Sequence, residues 1–176
     1  MHDLLKNTRY AASPHCDLRP SEMTIDMIVI HNISLPPNQF EGNFVEKFFC
    51  GELDCSLHPY FDTIRELKVS AHLLIRRNGE VIQFVPFSKR AWHAGKSLFQ
   101  GREQCNDFSI GIELEGADNL PYEKIQYQKL TEIIRILQKM YPAITNERIV
   151  GHVDIAPDRK TDPGPAFDWD LLRRSL

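Results

Sequence analysis

The sequence predicts an α/β (α+β) fold, a central mixed β-sheet flanked by helices, and three observations carry that expectation. Residues 27–30 (MIVI) are a short continuous apolar run, the mark of a strand buried on both faces. Residues 77–79 (RNG) separate two β-rich runs, and Asn-Gly between such runs predicts a hairpin. Across 122–141, apolar residues fall at Tyr127, Leu130, Ile133, Ile134, Leu137, Met140 and Tyr141, the spacing of an amphipathic helix that Pro142 terminates.

The other elements follow in chain order. Residues 1–24 are polar and punctuated by Pro14 and Pro20, which predicts an N-terminal arm lying across the surface. The strand at 27–30 delivers His31 and Asn32 at its C-terminal end, where α/β sheets place their chemistry. Residues 34–37 (SLPP) form an extended loop, because the residue before each proline is pushed out of the helical region. Phe44, Phe48 and Phe49 at helical spacing, with Gly51 as a stop, predict a helix within 40–50. Residues 58–61 (HPYF) are expected to be irregular.

The hairpin arms are 69–76 and 80–85, and Pro86 ends the second. Residues 90–95 (RAWHAG) and the polar stretch 96–106 read as loops. Ile110, Ile112 and Leu114 alternate with Ser109, Gly111, Glu113 and Glu115, as in a strand with one packed face, so Glu113 lies opposite the Ile row. A short strand at 148–150 leads into 151–165 (GHVDIAPDRKTDPGP), too rich in Pro and Gly to continue as helix or central strand, and 169–174 closes the chain as a helix.

At 176 residues and 42% hydrophobic content, the chain is long enough for one sizeable core and too short for two. A single domain over 1–176 is expected, acting as a monomer. A net charge of −3 offers no basic field for nucleic acid or an anionic membrane surface. No run approaches the roughly 20 apolar residues of a membrane span, and the N-terminal residues lack an export segment. Four scattered cysteines do not make a disulfide scaffold. Cytoplasmic localisation is the expectation. Gly-x-Gly-x-x-Gly and Walker patterns are absent, so a nucleotide fold is not indicated.

From residue chemistry alone, four readings of the site stay open. In one, His31, His152 and Asp162 bind a divalent metal beside Glu113 and Lys160, on the rigid supports that a metal site needs. In another, Cys50, Cys55 and His58 belong to a structural zinc site. A third makes Cys105 a nucleophile with a histidine base. The fourth is a non-catalytic module whose Trp92, Tyr60 and Phe61 form a ligand platform. Three further expectations are structural. His72 is a packed histidine, Glu115 and Asp118 sit in solvated turns, and Trp92 is either core or substrate-facing.

The stretches VIHNISLPP, SAHLLIRRNGEVIQFVPFSKRAWHAG, GRxxCNDFSIGIELEG and GHxxIAPxRKTDPGPxFDW closely resemble the zinc-dependent type 2 N-acetylmuramoyl-L-alanine amidases, in particular their intracellular branch. That resemblance runs in order from about Ser13 to Trp169. It implies a zinc hydrolase that cuts the amide between the lactyl group of 1,6-anhydro-N-acetylmuramic acid and L-alanine, acting on small anhydromuropeptides in cytoplasmic cell-wall recycling. Indirectly, such an activity restrains β-lactamase induction. By motif it implies one Zn2+ per chain on His31, His152 and Asp162, with Glu113 and Lys160 as the catalytic pair. Asn32, Trp92, His93, Arg102 and Arg159 correspond to groove positions that bind sugar or peptide carboxylates. A muropeptide-binding module of the same fold that does not cut is the alternative.

Overall fold

In the computed structural model, which describes residues 3–176, the chain runs β1 (Arg9–Tyr10), β2 (Cys16–Leu18), β3 (Met27–Ile33), α1 (Phe44–Phe49), α2 (Pro59–Ile64), β4 (Leu73–Ile75), β5 (Val81–Gln83) and β6 (Lys89–Ala91). It continues with β7 (Leu98–Phe99), β8 (Arg102–Glu103), β9 (Ser109–Glu115), α3 (Lys124–Met140), β10 (Ile149–Gly151), α4 (His152–Ile155) and α5 (Trp169–Ser175). Six strands form a mixed sheet in the order β1-β5-β4-β9-β3-β10. Strands β4, β9, β3 and β10 run parallel, and β5 is antiparallel to β4.

The apolar run at 27–30 is continuous because β3 lies inside the parallel part of the sheet, and all four residues are fully buried. On one face Ile28, Ile30, Leu73, Ile75, Ile110 and Ile112 pack against α3 through Leu130, Ile133, Ile134 and Leu137. On the other face Leu74 and Ile82 join Phe48, Phe49 and Phe61 from α1 and α2. The result is a three-layer mixed α/β domain. Gln126, fully buried in α3, donates from Nε2 to the carbonyls of Ile75 (3.1 Å) and Glu115 (3.0 Å), tying the helix to β4 and β9. The hairpin closes at Gly79, whose φ of +85° suits a residue without a Cβ.

Five expectations change. Residues 90–106, expected as loops, carry the end of β6 and the antiparallel pair β7 and β8. The arm is built into the fold: β1 pairs parallel with β5, and β2 pairs antiparallel with β6. Arg19 donates to the carbonyls of Phe87, Asn106, Asp107 and Ser109. Strand pairing uses backbone groups, so polar side chains did not prevent it; residues 1 and 2 of the arm lie outside the described residues. Residues 59–64 are helical, with Pro59 at the first position and the His58 Nδ1 accepting from Tyr60 N at 3.1 Å. The 151–165 segment includes the short helix α4, where Asp154 Oδ2 accepts from Gly151 N at 2.7 Å. Both faces of β9 are buried, the polar row included.

No helix among the described residues is long and apolar enough to cross a membrane.

Candidate functional site

Strand pairing brings residues remote in sequence to one place. In the parallel register of β3 and β9, His31 lies beside Glu113. Strand β10 lies on the other side of β3, with Gly151 beside Ile30, and the next residue, His152, begins α4. The backbone of Val153 donates to the carbonyl of Asp162 at 3.0 Å, which folds the Pro-rich segment back onto α4. Three side chains therefore converge: His31 Nδ1, His152 Nδ1 and Asp162 Oδ2 lie 3.0 Å from one another. Both imidazoles are 2% exposed.

This donor set fits a cation. The His152 Nε2 lies 3.1 Å from the carbonyl of Ala94, which only accepts, so Nε2 carries the proton and Nδ1 presents a lone pair. Two lone pairs, on His152 Nδ1 and Asp162 Oδ2, facing each other at 3.0 Å repel unless positive charge lies between them. Burial first, and His152 after it, bring the His31 pKa down to about 4 against the pull of Asp162, so the imidazole is neutral at neutral pH. Among the described residues this is the one group of three or more His, Cys, Asp or Glu side chains arranged to hold a metal ion.

Glu113 stands beside the cluster, 8% exposed, with a buried Oε2 that has no hydrogen-bond partner. Burial, then the Asp162 carboxylate, push its pKa well above the ordinary range, with Lys160 opposing. Both Glu113 and Lys160 line a cavity of ~630 Å3 with the three convergent residues, a volume suited to a small ligand. A carboxyl of raised pKa and an ammonium beside a cluster able to hold a metal ion could move a proton and stabilise a developing anion.

The groove residues divide. Asn32 lines the cavity, but its Nδ2 donates to Asp118 Oδ1 (2.8 Å) and to the Pro163 carbonyl (3.0 Å), so it anchors the loop bearing Asp162. His93 also lines the cavity and lies 2.9 Å from His31 Nε2. Arg159 lines it while donating to the carbonyls of Ala94 (2.6 Å) and Lys96 (2.8 Å). Trp92 and Arg102 do not line it. The Trp92 ring stacks on His15 with centroids 6.3 Å apart, and the Arg102 guanidinium pairs with Asp26 at 2.6 Å and covers the Phe108 ring.

Other expectations resolve with the geometry. His72 is a packed histidine as expected, fully buried, with Nδ1 accepting from Gly111 N at 3.0 Å. Glu115 is not in a solvated turn, since it ends β9, is 5% exposed and accepts from Arg77 N at 3.0 Å; Asp118 is in a turn, half-buried, where it lines the cavity and accepts from Asn32. The Cys50 and Cys55 thiols donate to nearby carbonyls and the His58 ring caps α2, so these three do not converge as a ligand cluster. Cys105 is fully buried, and burial pushes its thiol pKa up, the wrong direction for a thiolate nucleophile. Tyr60 lines the cavity, whereas Phe61 is core. Tyr122, absent from the sequence expectations, donates to the Pro163 carbonyl at 2.7 Å and steadies the same loop.

A family model for N-acetylmuramoyl-L-alanine amidase matches residues 21–165, and the chain belongs to that amidase family. Among its relatives, the 1,6-anhydro-N-acetylmuramyl-L-alanine amidase AmpD of Escherichia coli (strain K12) is 57% identical over 169 residues, 96% of this chain and 92% of the relative. A crystal structure of an AmpD superposes with a TM-score of 0.97 at 53% identity, covering 100% of this chain and 98% of that one. The amidase AmiD from E. coli, solved in complex with the substrate anhydro-N-acetylmuramic acid-L-Ala-D-gamma-Glu-L-Lys, matches with a TM-score of 0.62 at 31% identity, over 89% of this chain and 60% of its own.

Proposed function

We propose that this protein is a zinc-dependent amidase that hydrolyses the bond between the lactyl group of 1,6-anhydro-N-acetylmuramic acid and the L-alanine of small muropeptides. The observation that carries the reading is the meeting of His31 Nδ1, His152 Nδ1 and Asp162 Oδ2 at 3.0 Å beside the unpartnered Glu113. The similarity to AmpD and to the substrate-bound AmiD supports the choice of bond and ligand.

In this reading His31, His152 and Asp162 would hold one Zn2+, the ion that two imidazoles and a carboxylate suit. When bound, zinc supplies Lewis-acid polarisation of the carbonyl and a lowered pKa for water. Glu113 accepts the proton of the attacking water and hands it to the departing alanine nitrogen, which is a poor leaving group without it. The Lys160 ammonium stabilises the negative charge that develops on the carbonyl oxygen. Asn32 and Tyr122 keep the Asp162 loop in place through the Pro163 carbonyl.

A non-cutting module has no need of a buried carboxyl with a raised pKa beside its ligands. The described residues of one chain contain the proposed ligands together with Glu113 and Lys160, which supports a single-domain monomer. The reading also makes it a cytoplasmic recycling enzyme, since its substrate is the small anhydromuropeptide. Incubation with anhydromuropeptide and with intact peptidoglycan, before and after zinc chelation, followed by mass analysis, tests it. Release of the stem peptide from the anhydro compound, lost on chelation and restored by zinc, is expected. Uncleaved muropeptide with zinc-loaded protein, or full activity without metal, overturns it.

A further inference from the structure

His93 has no step in the proposed reaction, yet both its ring nitrogens are engaged: Nδ1 lies 2.9 Å from His31 Nε2, and Nε2 lies 3.1 Å from Ser109 Oγ. The Ser109 Oγ in turn lies 2.5 Å from the carbonyl oxygen of Cys105. The direction of each proton follows from that last group. A backbone carbonyl only accepts, so the single hydroxyl hydrogen of Ser109 goes to Cys105. Ser109 Oγ then accepts from His93 Nε2–H. A neutral imidazole with its proton on Nε2 has a lone pair on Nδ1, which must accept from His31 Nε2–H. His31 is left with its lone pair on Nδ1, the atom that faces His152 and Asp162.

An independent observation shows that the ring has a built seat. A Cβ on Gly111, in the middle of β9, would lie 2.4 Å from His93 Cγ and 2.6 Å from its Nδ1, so the strand leaves out a side chain where the imidazole rests. The backbone leading into and out of the ring is fixed as well, since Asn106 Oδ1 accepts from the amides of His93 (3.1 Å) and Ala94 (2.8 Å). Packing alone does not require two directional bonds ending on a carbonyl.

We infer that His93 is a positioning residue, seated over Gly111 and oriented by Ser109, which fixes His31 in its Nε2–H tautomer and so presents His31 Nδ1 to the metal ion. This rests on the reading of His31 as a metal ligand, while the tautomer itself can be measured with no metal present. Partners that orient a metal-binding histidine in this way typically contribute about 10–100-fold in metal affinity.

Two measurements, on the unaltered protein and three variants, test it together. Long-range 15N–1H NMR of the imidazoles in metal-free and zinc-loaded protein should find His31 protonated on Nε2 in both. Zinc competition against a chromophoric chelator should show His93→Leu, which fills space without an acceptor, weakened about 10–100-fold. His93→Asn, whose Oδ1 can stand where Nδ1 stands, should recover most of that loss. Ser109→Ala, which removes the group orienting His93, should shift His31 toward mixed tautomers and weaken zinc less, and it serves if the Leu variant does not fold. A metal-free His31 protonated on Nδ1, or His93→Leu and Ser109→Ala both binding zinc as tightly as the unaltered protein, overturns the inference. If the unaltered protein binds no zinc, the proposed function fails, and the NMR result still decides the role of His93.

Discussion

Replacing Glu113 by Gln is expected to stabilise the metal-free protein and to remove most of its turnover when zinc is bound, for separable reasons. The carboxyl is 8% exposed with an unpartnered Oε2, and burial and then Asp162 raise its pKa well above 4.5. A raised folded pKa means that its stabilising contribution is complete below the unfolded value and is lost as pH rises through the folded one. Between those limits the folded chain holds a proton that the unfolded chain has released. Stability therefore falls by ~1.4 kcal/mol per pH unit relative to a chain lacking the group. Gln does not titrate, so the advantage of Glu113→Gln should grow at that slope above about pH 4.5 and level off once the folded carboxyl ionises. In a domain of this size 1 kcal/mol shifts Tm by about 2–4 °C, so each pH unit in the window should widen the gap by about 3–6 °C. Calorimetry of the chelated proteins at about pH 5, 6 and 7 reads this directly. With zinc bound, kcat should fall about 10²–10⁴-fold while metal content is unchanged. Parallel stability curves would show that the folded carboxyl is not held protonated, and near-normal turnover would show that it carries no proton in the reaction.

Lys160→Ala should lower kcat about 10²–10³-fold with one zinc per chain retained, measured by steady-state kinetics beside metal analysis; an unchanged kcat would remove Lys160 from anion stabilisation. Asn32→Ala leaves Asp118 Oδ1 without its amide partner and Pro163 held by Tyr122 alone, so urea unfolding should show a loss of about 1–3 kcal/mol together with weaker zinc binding. Stability and zinc affinity both unaltered would show that Asn32 does not anchor the loop.

What the sequence made legible depends on how each element earns its stability. Strand β3 is readable because a strand inside a parallel sheet is apolar at every position, and α3 because one of its faces meets a core while the other meets water. Strands β1 and β2 are held by backbone pairing, and Arg9, Tyr10 and Leu18 are exposed, so no hydrophobic pattern marks them. At α2 the information was present in Pro59 and His58, and two neighbouring aromatics obscured it. Trp92 and His93 are adjacent in one motif yet serve opposite sides: where the chain leaves β6, successive side chains point in opposite directions, so His93 reaches the cavity and Trp92 packs on the arm. Asp118 sits in a polar turn that spacing reads as solvated. It is enclosed by residues 163–166 returning from the far end of the chain, including the Ala166 amide that its carbonyl accepts at 3.0 Å. Contacts of such long range leave no trace in local composition.

The same limit explains why the polar row of β9 was the hardest part of the site to read. Alternation along SIGIELE correctly separates Ile110, Ile112 and Leu114, which pack under α3, from Ser109, Gly111 and Glu113, and in most antiparallel sheets such a row faces water. Here β9 lies between β4 and β3, and each member of the row has a different neighbour in the site. Ser109 bonds the His93 ring, Gly111 makes room for it, and Glu113 stands beside His31. Because side chains alternate with a period of two, slipping β9 by one residue against β3 would turn all three away and set Ile110, Ile112 and Leu114 into the cluster. The core under α3 would lose its apolar row in the same step. Packing of the Ile row therefore fixes the register that the polar row needs, and the placement of the candidate site follows from the stability of the sheet.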